Sequence, residues 1–101
     1  MNAALALARS YGVAVGFADL GDWGAAELCA EYDPNGPFIR LNARVAEGMA
    51  LGDLGTFVTM AIGHELYHHR ERIGEIPVIG NRAARERAAD RYARELLEQS
   101  T

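Results

Sequence analysis

The chain has 101 residues, 10 basic against 14 acidic side chains, and one cysteine, so it is read as a single domain, residues 1–101, with no internal disulfide. Half the residues are hydrophobic, too many for a disordered chain, and a core of this size gives only marginal stability, which a bound metal would raise. Eight acids and three arginines lie in residues 1–69, and the remainder is nearly balanced, so no basic stripe for nucleic acid is expected, and no apolar run approaches the length of a membrane span.

Residues 2 to 11 are rich in alanine and leucine and predict a helix, with Asn2 as N-cap and Gly12 as terminator. Residues 13 to 18 suit a strand, and Gly21–Gly24 a turn. Residues 25 to 32 run into Asp33-Pro34-Asn35-Gly36, a strong turn signal, and Phe38 to Asn42 alternates apolar and polar residues. The two segments read as a β-hairpin. For residues 43 to 50 a short helix and a loop are both open. A long helix is expected from Asp53 or Leu54 to about Ile73, followed by a loop over 74–81. Asn81 would cap a last helix running to about Glu98. The order predicts an α+β fold with a small three-stranded antiparallel sheet.

The long helix carries His64-Glu65-Leu66-Tyr67-His68 in an apolar stretch. Four residues turn a helix by about 400°, so both imidazoles share one face and can hold one zinc ion at about 2.0–2.1 Å. Glu65 lies on the adjacent flank, where a carboxylate can act as catalytic base toward water. This pattern points to metal-assisted hydrolysis. A catalytic zinc site needs a third protein ligand. His69 points about 100° away from His68, and Gly74 stands where a metzincin would place its third histidine. On the last helix Glu86, Asp90, Ala93 and Leu97 fall within about 40° of one another on a helical wheel. Glu86 and Asp90 are therefore expected on the buried face, Glu86 as third ligand and Asp90 holding the free N–H of a liganding histidine. Tyr67 is expected to be a packing residue, His69 a half-exposed surface histidine, Cys29 a small core residue, and Trp23 and Tyr92 core or rim.

Gly63-His64-Glu65-Leu66-Tyr67-His68-His69, together with the segment from Glu86 through Ala89, Asp90, Tyr92 and Ala93 to Leu96-Leu97, resembles the ImmA/IrrE family of metallo-endopeptidases. Gly12 to Val15 and Phe38 to Asn42 also fit that family's layout, so the resemblance spans nearly the whole chain. It implies a minimal zincin-like core with one Zn2+ per chain on His64, His68 and Glu86, and Glu65 as catalytic acid/base. Glu86 followed by Asp90 also looks like the gluzincin pattern, in which the aspartate orients a histidine. The resemblance implies a protein substrate, often a helix-turn-helix transcriptional repressor of a phage or mobile element. Many members continue past the Leu-Leu pair with Met-Pro, whereas here Glu98 follows, which bears on substrate recognition. Met1 to Arg9 has no basic segment leading a long apolar one, so a cytoplasmic protein is expected. The competing expectations are a non-catalytic, zinc-stabilised module that sequesters a regulatory partner, and a zinc amidase.

Overall fold

The computed structural model describes residues 2–21 and 29–99. Among these residues the elements run in the order α1 (Ala3–Ser10), β1 (Ala14–Ala18), β2 (Ala30–Asp33), β3 (Phe38–Asn42), α2 (Ala43–Ala46), α3 (Leu51–Arg72) and α4 (Arg82–Gln99). The expected turn at 21–24, the first half of the expected hairpin strand and Trp23 fall wholly or largely outside the described residues. Among the described residues no helix is long and apolar enough to cross a membrane.

Local chemistry sets the element ends. The Asn2 side chain accepts from the amides of Ala4 and Leu5, capping α1, and its Nδ2 donates to Thr59 Oγ1 at 2.7 Å, tying the cap to α3. Gly12, at φ +72°, turns the chain out of α1 into β1. Gly74, at φ +79°, ends α3, and the amides of Gly74 and Glu75 return to the carbonyls of Glu71 and Arg70. Asn81 Oδ1 accepts from the Ala84 amide at 3.0 Å, as expected of its cap.

The sheet is mixed, with order β1-β3-β2. β2 and β3 form the expected antiparallel hairpin, with Glu31 opposite Arg40 and Tyr32 opposite Ile39. β1 pairs with the other side of β3 in parallel, Val15 beside Ile39 and Phe17 beside Leu41. This corrects the antiparallel sheet expected from sequence. The hairpin occupies one side of β3, so β1 takes the other, and alternation along a strand carries no information on its direction relative to a neighbour.

Ile39 and Leu41 point from β3 into the core, where they meet Ala4 and Ala8 of α1, Val13, and Ile62 and Leu66 of α3. On the opposite face Arg40 bridges Glu31 and Asp33. Asn42 is buried: its Oδ1 accepts from the amides of Leu20 and Arg44, and its Nδ2 donates to the Gly21 carbonyl. α3 is thus the central rod, with α1 and the sheet packed on it and α4 alongside. It begins at Leu51, two to three residues earlier than expected.

Candidate metal centre

α3 and α4 meet through small residues. A Cβ added to Gly63 would lie 2.8 Å from Ala93 Cα and 2.9 Å from Ala93 Cβ. Glycine therefore allows a backbone approach at the residue just before His64. Ala89, Ala93 and Leu96 are the buried residues of α4. That stripe is offset by roughly 50° from Glu86 on the 100° helical step. Glu86 and Asp90 stand at the rim of a cleft, their side chains 45% and 52% exposed, rather than on the buried face. The wheel identified the right side of α4 but not its phase, because the contact is centred on alanines that let the helices close up.

From that rim both acids reach His64. Glu86 Oε2 lies 2.8 Å from His64 Nε2 and 3.7 Å from His68 Nε2, and the two Nε2 atoms are 3.3 Å apart. His64 Nδ1 donates to Asp90 Oδ1 at 2.8 Å. His68 Nδ1 donates to Glu71 Oε1 at 2.8 Å. In the neutral tautomers that carry the proton on Nδ1, facing these carboxylates, each Nε2 offers a lone pair. Two imidazole nitrogens and one carboxylate oxygen then face a common point. A proton can bridge only one pair of these acceptors, whereas a divalent cation satisfies all three. Tetrahedral sites with bonds of about 2.0–2.1 Å hold their donor atoms about 3.3–3.4 Å apart, and these separations bracket that value.

Glu65 is the second available carboxylate. His64, Glu65 and His68 each offer an atom within 4.8 Å of the others. Glu86 approaches an imidazole to hydrogen-bonding distance, so it too can serve as third donor. Glu65 Oε2 is buried and, among the described residues, has no hydrogen-bond partner. Burial pushes the Glu65 carboxyl up from the usual range, and the neighbouring histidines oppose that rise. Glu65, both histidines, Glu86 and Asp90 line one cleft of about 510 Å³. Cys29 and Ala30, where the chain enters β2, also line it. Cys29 is exposed, not the core residue expected, because it sits at the strand's entry above the cleft.

Glu71 was not anticipated. Its side chain is 3% exposed, and Arg85 holds both its oxygens, with Nε donating to Oε2 at 2.8 Å and Nη2 to Oε1 at 2.9 Å. The Arg85 hydrogen bonds hold the Glu71 carboxyl below its usual range against the effect of burial. Two signals were available: Glu71 lies three residues after His68, hence on its face, and it is an acid in the last turn of a helix, where the dipole disfavours it. His69 is buried, not half-exposed. Tyr32 Oη lies 2.6 Å from its Nδ1, and the rings of Tyr11 and Tyr32 pack edge-on against it. Tyr67 packs against His68 and Tyr92, as expected of a packing residue.

The chain matches no protein-family model, no curated protein and no solved structure.

Proposed function

We propose that this chain is a zinc-dependent metallo-endopeptidase of the ImmA/IrrE kind, acting in the cytoplasm on a protein substrate such as a helix-turn-helix repressor. The observation that carries the proposal is the convergence of His64 Nε2, His68 Nε2 and Glu86 Oε2, with a buried Glu65 oxygen, Oε2, that has no hydrogen-bond partner among the described residues. Three protein donors of this chemistry suit a catalytic zinc site, whereas structural sites use four, often with cysteines. The repressor as substrate class rests on the resemblance of the two helical motifs alone.

In this reading His64, His68 and Glu86 would hold the ion, which would supply Lewis acidity toward water and the scissile carbonyl. Glu65 takes a proton from the attacking water and returns it to the leaving amine nitrogen. Its burial leaves it little competing solvent and favours holding the proton between the two steps. Asp90 keeps the His64 ring turned toward the site. Among the described residues β2 is an edge strand, and its first residue, Ala30, lines the cleft, so a substrate segment can add to it through main-chain hydrogen bonds beside Glu65.

The test is Glu65→Gln with metal analysis alongside. Wild type should contain one zinc per chain and cleave members of a quenched-fluorescent peptide library. The variant should retain zinc and lose about 10²- to 10⁴-fold in rate. A wild type that holds zinc but cleaves nothing, and captures a regulatory protein intact, would establish the sequestering module instead. A wild type without zinc would end both readings.

A further inference from the structure

Glu71 has no part in the chemistry proposed above, yet it is the most buried carboxylate of the described chain with an ion pair. Such a group near the C-terminal end of a 22-residue helix is disfavoured twice, by burial and by the helix dipole. Its geometry indicates what it does there. Oε1 is shared: it accepts from Arg85 Nη2 at 2.9 Å and from His68 Nδ1 at 2.8 Å. Oε2 accepts from Arg85 Nε at 2.8 Å. The planar guanidinium fork fixes the plane of the carboxylate, which a lysine ammonium would not do. An ionised carboxylate only accepts, so it selects the His68 tautomer that carries its proton on Nδ1. The His68 Nε2 lone pair is then presented to the point shared with His64 and Glu86.

The same contact acts on the second helix. Arg85 immediately precedes Glu86 in α4, whereas Glu71 belongs to α3. The ion pair therefore joins the two helices one residue from the third donor. We propose that Glu71 and Arg85 are positioning residues of the metal centre, a clamp built on a buried carboxylate that orients His68 and seats Glu86 together. This rests on the zinc reading above. Asp90 serves His64 in the corresponding way, but its carboxylate is half exposed and no Arg contact clamps it among the described residues.

The test uses the full chain and Zn2+ alone as ligand. In metal-free wild type at alkaline pH, long-range proton–nitrogen correlation of 15N-histidine should find His68 protonated on Nδ1. Glu71→Ala and Arg85→Met should weaken zinc binding by about 10- to 100-fold in a chelator competition. Glu71→Gln, whose amide oxygen can still accept from Nδ1–H, should recover part of that loss. His68 protonated on Nε2 in the metal-free wild type would overturn the clamp even if every variant failed to fold. So would folded variants, judged by circular dichroism, that bind zinc within twofold of wild type. Wild type that binds no zinc would instead overturn the hydrolase reading, leaving the tautomer measurement to decide whether Glu71 orients the ring.

Discussion

His68 and His69 are neighbours in sequence and face unlike surroundings. His69 is enclosed by Tyr11 and Tyr32, burial lowers its affinity for a proton, and its Nδ1 shares a hydrogen bond with the Tyr32 hydroxyl. That ring is a packed core histidine with its Nδ1 partnered. One step of about 100° around α3, the His68 ring donates from one nitrogen to a clamped carboxylate and turns the other toward two further acceptors. The difference teaches that a histidine's role is decided by what its second nitrogen meets. In the tyrosine pocket His69 Nδ1 is satisfied by a protein hydroxyl. In the cleft, two imidazole nitrogens and a carboxylate oxygen face one another, the arrangement on which the zinc proposal rests.

The sharpest way to break this comparison is to remove each ring in turn. His68→Ala should cost more zinc affinity than the 10- to 100-fold typical of outer partners. His69→Phe should leave zinc affinity unchanged while costing stability, because the Tyr32 hydroxyl loses one hydrogen bond, at about 0.5–1.5 kcal/mol. Calorimetric zinc titration beside thermal melts reads both. Equal losses of zinc affinity for the two would refute the division between the faces.

A smaller effect is expected where the cleft's two walls touch. Gly63→Ala places a methyl against the Ala93 backbone, a contact too short to persist without moving α4. Overpacking of this kind costs about 1–3 kcal/mol, and because α4 carries Glu86, zinc affinity should fall with stability. Denaturant unfolding with and without zinc would separate the two. A lower midpoint with zinc affinity intact would mean that Glu86 does not depend on the helix contact.

The smallest effect lies beyond the tyrosine pocket. Tyr11 Oη and Arg70 Nε both donate to Glu75 Oε1, and the tyrosine hydrogen bond chiefly holds that carboxyl below its usual range. A folded-state value below the unfolded one contributes stability that is full above the ordinary glutamate range. It is lost as pH falls through the folded value. Glu75→Gln should therefore melt below wild type near neutrality, and the gap should close as pH drops below about 4. A gap that stays constant across that range would show that the ionised form of Glu75 adds nothing.

Much of this was legible in the sequence because it depends on local periodicity. The four-residue spacing of His64 and His68 dictates a shared helical face, and Asn2, Asn81, Gly12 and Gly74 mark helix ends by their own chemistry. The alternation in Phe38 to Asn42 gave one strand, and the Asp33-Pro34-Asn35-Gly36 turn gave its hairpin partner. What tertiary structure decided is everything that depends on a neighbour distant in the chain. The parallel seat of β1 on β3 was decided there, since strand direction has no local signature. So was the phase of α4, set by the fit of Gly63 against Ala93, which moved Glu86 and Asp90 from the buried stripe to the cleft rim. So were the burial of His69 between Tyr11 and Tyr32 and the recruitment of Glu71 by Arg85, because a hydrogen bond is short-ranged and residues far apart in sequence meet only once the helices have packed.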